Sequence, residues 1–356
     1  MIARWLVGMT FGTLVIAITS PLFVRSYVPR QWDDARQQII LRPGDSYRWR
    51  SEGYATTSIG PHGMMGRTSL PTRPSATERE LETSPATVAL WGDSQAEGVS
   101  VADTNKLFRQ IERFADQRAS GTVHVLPLGK SGDDANAWIA QMPLVEDNLG
   151  VTNHVILLCE TVDLLVQPPT DTTEYSAPVI TNDPVGKLPD FLLQAAKNLL
   201  IDDRNGGPRS LRFQVGPANS DPTITHQTAS QQMTEAADSL EQRSNFVETL
   251  TRIREASDRD VTLVYAPRSP VVFAGGLRWQ DPDAISFAII SETCEDLGID
   301  VVDCRQAFRE MVQQGIFPHG FHNGEIGNGH LNEDGYRVIA EQLIQSWKGD
   351  TRGAAE

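Results

Sequence analysis

Three short stretches of this chain carry residue types suited to acyl chemistry through a serine. Gly92-Asp93-Ser94 follows the apolar run Thr87–Trp91, which places Ser94 just past the C-terminal end of a strand, where α/β sheets present reactive groups. Serine is a poor nucleophile until a base takes its proton, and the oxyanion that follows needs donors. His330 precedes Leu331-Asn-Glu-Asp-Gly-Tyr336 and an apolar pattern at helical spacing, with Asn332 a good N-cap, so its imidazole belongs on the loop entering the last helix. Gly129-Lys-Ser-Gly132 follows a second strand, and Gly132 offers a bare backbone N–H to a ligand.

The elements around these residues alternate. Short β-branched runs at Thr87–Trp91, Thr122–Leu126, His154–Leu158, Val261–Tyr265 and Ile299–Val302 are each followed by a segment of helical spacing, which predicts a parallel five-stranded sheet with helices on both faces. Residues 168–232, rich in Pro, Thr, Asn, Asp and Gly and broken by the apolar stretch Phe191–Ile201, read as an insertion with a lid or substrate-binding role. The catalytic domain is expected over 87–349, after a polar lead-in and linker at 31–86 and before a tail at 350–356. Within the lead-in, Pro71–Pro85 has too little apolar content to form a core.

Trp5–Val24 holds no charged residue over twenty positions, the length of a bilayer's hydrocarbon core. Residues 1–30 therefore read as a membrane anchor with the body exported, periplasmic or extracellular. A cleaved signal peptide is the alternative, although the stretch is long for one and lacks a clean A-x-A site. The net charge of −15 disfavours nucleic acid as a partner. Three cysteines, Cys159, Cys294 and Cys304, make no disulfide framework, and whether Cys294 and Cys304 pair is open.

Gly92-Asp-Ser94, Gly129-Lys-Ser-Gly132 and Gly329-His-Leu-Asn332, in that order, resemble blocks I, II and V of the SGNH (GDSL) hydrolases, over roughly residues 87–347. The resemblance implies a three-layer α/β/α sandwich with a flavodoxin-like sheet. It implies Ser94 as nucleophile, His330 as base, and the amides of Ser94 and Gly132 as oxyanion donors, with no metal or organic cofactor. Two family positions depart from the pattern. The block III Asn is replaced by Val162 in Glu160-Thr-Val-Asp163, which removes a donor worth about 3 kcal/mol unless Thr161 or an insertion residue substitutes. The Asp expected two or three residues before the histidine is replaced by Asn328 and Gly327.

Asn328 can hold the histidine tautomer but offers no charge to the imidazolium, and it is taken as the orienting residue, with Glu325 or Glu333 as alternative carboxylates. Three functions fit. The first is a serine esterase removing an O-acetyl or short acyl group from a saccharide or small molecule. The others are an acyltransferase using the same pair and a non-catalytic carbohydrate-binding module.

Competing motifs are weaker. Gly129-Lys-Ser131 lacks the P-loop glycine five residues upstream, where His124 stands, so no nucleotide is expected. His319, His322, Glu325 and His330 share a glycine-rich loop without zinc-site spacing, and the loop reads as part of an active site rather than a metal centre. His62, His154 and His226 are expected at the surface or core edge, and Trp91 and Trp138 in the core. Asp93 is expected to fix the nucleophile turn; Asp163 is left equally as a helix cap or a site residue.

Overall fold

The computed structural model describes residues 1–71, 86–117, 123–165, 188–193, 229–273 and 275–353. The linker expected up to Pro85, most of the insertion at 168–232, including His226, and the last residues of the tail lie outside them. In chain order the elements are α1 (Ile2–Thr19), β1 (Arg30–Asp33), β2 (Gln38–Leu41), β3 (Ser46–Arg48), β4 (Thr56–Ser58), β5 (Ala86–Trp91), α2 (Ser94–Glu97), α3 (Leu107–Gln117), β6 (Val123–Pro127), α4 (Ala135–Leu149) and β7 (Asn153–Leu158). After a 3-10 turn at Thr161–Leu164 come α5 (Ala229–Glu255), β8 (Asp260–Tyr265), β9 (Val271–Phe273), β10 (Gly276–Arg278), α6 (Ala284–Leu297), β11 (Asp300–Asp303), α7 (Arg305–Gln313) and α8 (Glu333–Gly353).

The central sheet is parallel throughout, in the order β6-β5-β7-β8-β11. Renumbered along the sheet's own sequence this is 2-1-3-4-5, the flavodoxin-like order, whose switch point lies where β5 and β7 meet. Each of the five expected runs is a strand, with its ends within one residue of the sequence pattern. The two-residue period divides every strand between two cores. Val88, Leu90, Val125 and Leu157 face α3, α7 and α8, where Phe108, Ile111, Phe308 and Ile339 cover them. Ala89, Trp91, Ile156 and Leu263 face α4, α5 and α6 against Trp138, Phe246, Leu250 and Ile290.

The expected α/β/α sandwich is therefore present, with Trp91 and Trp138 fully buried. His154, expected at an edge, lies instead in the core: the Trp91 indole N–H donates to its Nδ1 at 3.0 Å, which puts its proton on Nε2 beside Glu146 at 2.9 Å. Cys159, Cys294 and Cys304 are buried free thiols, and burial pushes the Cys294 thiol up to about 12.

The lead-in is built into this body. β1 pairs with β2 and β3 with β4, both antiparallel, and Met64 from the segment after β4 enters the core with Trp91 and Trp138. Arg36 is 3% exposed and reaches across to the sheet domain, donating to Leu128 O and Gln141 Oε1 at 2.8 Å and to His62 O at 3.2 Å. A buried guanidinium is tolerable only when its donors are matched. Deleting it leaves buried acceptors that water cannot reach, at about 1–3 kcal/mol each. We expect Arg36→Ala to lower the free energy of unfolding by about 3 kcal/mol, read from the urea midpoint. An unchanged midpoint would mean that the lead-in does not unfold with the sheet.

Candidate active site

The turn that carries Ser94 forms because Asp93 caps the short helix that follows it: its Oδ1 accepts from the Gln95 N–H at 2.8 Å, the turn-fixing role expected for it. Ser94 is the first residue of that helix, at the C-terminal end of β5. On the other side, Asn332 caps α8 by accepting from the N–H groups of Asp334 and Gly335, both at 3.0 Å, while its amide donates to Phe317 O and Gly320 O. Gln95 joins the two turns, accepting from the Leu331 N–H at 2.8 Å and, through its backbone oxygen, from the Tyr336 hydroxyl. The two helix starts are thereby locked together, and His330 Nε2 lies 3.2 Å from Ser94 Oγ.

The other face of the imidazole meets a residue that sequence reasoning missed. Glu52 accepts at Oε2 from His330 Nδ1 at 2.7 Å and at Oε1 from the His330 backbone N–H at 2.9 Å. It stands in the loop between β3 and β4, 278 positions away, with its side chain 18% exposed. Two glycines make this approach possible. A Cβ on Gly329 (φ +93°) would fall 2.2 Å from Glu52 Oε1, and one on Gly53 (φ +84°) would fall 2.2 Å from Ser100 O. Asn323 holds the loop further, accepting from the Gly53 N–H at 2.9 Å and donating to Ser51 O at 2.6 Å. Burial opposes the charge on Glu52, but the hydrogen bonds from the His330 ring and backbone, with Arg268 beyond, outweigh it and hold the carboxyl below its ordinary range.

The orienting place expected for Asn328 is thus taken by Glu52. Asn328 turns away from the ring: its amide nitrogen donates to Glu325 Oε2 at 2.9 Å and its oxygen accepts from the Gly329 N–H at 2.9 Å. Glu325 is exposed and engaged with Asn328, and Glu333 accepts from the Asn105 amide, so neither alternative carboxylate occupies that place. A short polar side chain beside the histidine in sequence loses to a longer one delivered from another segment, because the ring's Nδ1 faces the lead-in.

Gly132 turns at φ +85° with open space where a side chain would project, in a loop pinned by Lys130 N–H to Gly92 O at 3.1 Å and Ser131 N–H to Glu97 Oε2 at 3.1 Å. Thr161 is buried and its backbone N–H is engaged by Asp283 Oδ2 at 2.9 Å, while Val162 is exposed. His319 is buried, set edge-on against Phe308, and burial, with Arg268 and His330 nearby, pushes it down to about 3. Among the described residues, no group of three His, Cys, Asp or Glu side chains is placed to hold a metal ion.

No family model matches the chain, and no curated protein does. Among solved structures it is similar to a lipase/acylhydrolase from Enterococcus faecalis, at 14% identity over 74% of this chain and 96% of that one, with a TM-score of 0.37. It is similar also to the acetyl xylan esterase AlAXEase, at 12% identity over 73% and 98% with a TM-score of 0.38. A third is the family 3 carbohydrate esterase of Clostridium thermocellum, at 11% identity over 77% and 100%, again at 0.38. The functional reading rests on this chain's own geometry.

Asp163, half-buried after β7, has its carboxyl pushed up to about 7 by burial, then by the charges of Asp93 and Glu160. A raised folded value means the carboxyl favours the folded state in acid, and that contribution fades as pH climbs from its ordinary 3.8 to about 7. Asp163→Asn has no such dependence. Its melting temperature relative to the wild type is expected to rise between those pH values and to level off above pH 7; a constant difference across the series would refute the assignment.

Proposed function

We propose that this protein is a serine esterase of the SGNH type, anchored by its N-terminal helix and acting on an O-acetyl or short acyl ester of a saccharide or small molecule. The observation that carries this reading is the continuous hydrogen-bonded line from Ser94 Oγ through His330 to Glu52, at 3.2 and 2.7 Å. Ser94 Oγ attacks the ester carbonyl while His330 Nε2 takes its proton; the tetrahedral intermediate collapses as that proton passes to the departing alkoxide. A water then attacks the acyl-serine and gives its proton to the same nitrogen; as the second intermediate collapses and the acid leaves, Nε2 returns that proton to Ser94 Oγ. Glu52 keeps the Nε2 lone pair aimed at Ser94 and offsets the imidazolium charge, which Asn328 could not do. The amides of Ser94 and Gly132 are assigned to the oxyanion, and Thr161, its N–H engaged by Asp283, would contribute only through its hydroxyl.

A charged orienting group also weighs against a non-catalytic reading, since a decayed site has no reason to keep a carboxylate bound at two points of its histidine. Fluorophosphonate labelling of the full-length protein tests the reading, together with turnover of p-nitrophenyl acetate. The wild type should be labelled and Ser94→Ala should not. Glu52→Gln should lose about four orders of magnitude in kcat, whereas Asn328→Ala should stay within about tenfold, as expected of a residue that touches no reacting atom. A folded wild type that resists the probe would sink the proposal.

A further inference from the structure

The loop that carries Glu52 is held from two sides, and only one of them is the active site. Behind it lies the end of α1, which with its 3-10 extension forms a 21-residue apolar helix (Ile2–Leu22), long enough to cross a membrane and with none of its apolar window buried in the protein. Arg50 Nε donates to Pro21 O at 2.9 Å, and its Nη1 donates to Trp49 O at 2.7 Å and Ala55 O at 2.8 Å, across the neck of the loop. The guanidinium lies over the Tyr54 ring, 4.4 Å from its centroid, and the Tyr54 hydroxyl donates to Leu22 O. Ser26, four residues on, continues the seam: its N–H donates to Arg48 O at 3.0 Å, and its hydroxyl accepts from the Arg48 N–H at 2.8 Å.

Glu52 thus sits between two residues, Arg50 and Tyr54, that both grip carbonyls at the end of this apolar helix. Tyr54 holds φ +54°, a conformation costly for a residue with a side chain and kept only where its surroundings impose it. A half-exposed tyrosine beside an arginine, next to exposed Leu22 and Phe23, is also the chemistry of a bilayer–water boundary.

We propose that Arg50 and Tyr54 are positioning residues that make the end of the membrane helix a structural part of the active site, so that Glu52 meets His330 fully only while the helix end is seated. The site then works at the membrane face, and release of the helix loosens the Glu52 contact without removing any reacting group. This rests on the esterase reading above, with Glu52 as the orienting carboxylate.

The test uses full-length protein in lipid nanodiscs with three changes: Arg50→Ala, Tyr54→Phe, and two glycines inserted between Val24 and Arg25, which separate the helix end from the β3–β4 hairpin. Turnover of p-nitrophenyl acetate should show kcat reduced about 10- to 100-fold in Arg50→Ala and in the insertion variant, the scale of a misplacement near 1 Å, with KM little changed. Tyr54→Phe should lose less. In a Glu52→Gln background Arg50→Ala should cost less than about twofold, because residues acting through one another are not additive. Hydrogen exchange at the amides of Gly53 and His330 should quicken in both Arg50→Ala and the insertion variant.

Equal Arg50→Ala losses with and without Glu52 would overturn the proposal, as would an insertion that leaves both kcat and exchange unchanged. If the wild type neither labels nor turns over, the esterase reading fails instead, and the exchange measurements alone then decide whether the helix end holds the loop.

Discussion

The site depends on one carboxylate placed twice on one histidine. Glu52 takes the His330 ring N–H and its backbone N–H together, which fixes the position of the residue and the rotation of its ring at once. The backbone contact adds to the bonds that already pin this loop, Gly327 N–H to His319 O at 2.9 Å and Gly320 N–H to His330 O at 2.8 Å, while the contact at Nδ1 sets the ring. Hydrogen bonds with an ionised partner are about twice as strong as neutral ones, and here both run to the same carboxylate. The glycines at 329 and 53 follow from this, since a Cβ on the first would strike the Glu52 carboxylate and one on the second would push the Glu52 loop off Ser100. The lead-in that delivers Glu52 is itself packed on the sheet body, through Arg36 and Met64.

Much of this was legible in the sequence. The five strands announce themselves because β-branched runs bounded by polar turns have few other places to go in a soluble body, and their order along the chain sets the helices between them. Ser94 and His330 were legible because each sits at a junction with its own local chemistry, an Asp cap in one case and an Asn cap in the other. Glu52 was not. Nothing in Arg50-Ser-Glu-Gly-Tyr54 distinguishes a carboxylate that meets a histidine from a turn residue, and its partner is 278 positions away. The one signal lay beside the histidine: Asn328 and Gly327 carry no charge, and the carboxylates nearest in sequence, Glu325 and Glu333, were not the ones that meet the ring.

His154 teaches the same lesson in reverse. Its ring is buried because two partners, the Trp91 indole and Glu146, satisfy both nitrogens, and burial depresses its affinity for a proton. A lone histidine on a strand says nothing about whether such partners exist. Sequence periodicity reports which face a residue takes; it does not report who waits on that face.

In the proposed reaction the carboxylates around Ser94 impose a limit on the chemistry. Asp93 stands next to Ser94, and Asp163 feels its charge strongly enough, on top of burial, to remain half protonated near pH 7. An oxyanion forming at Ser94 adds a further negative charge in the neighbourhood. Val162 offers no donor there and the Thr161 N–H is engaged by Asp283, so in the proposed reaction the amides of Ser94 and Gly132 offset that charge by themselves. Keeping Asp163 neutral is then worth more here than in a site with a full set of donors, because each ionised carboxyl nearby raises the energy of the intermediate. Glu52 escapes this conflict by lying on the far side of the imidazole, where its charge acts on the imidazolium first. The same ionised group that would hinder the oxyanion at close range therefore assists proton transfer from behind the base.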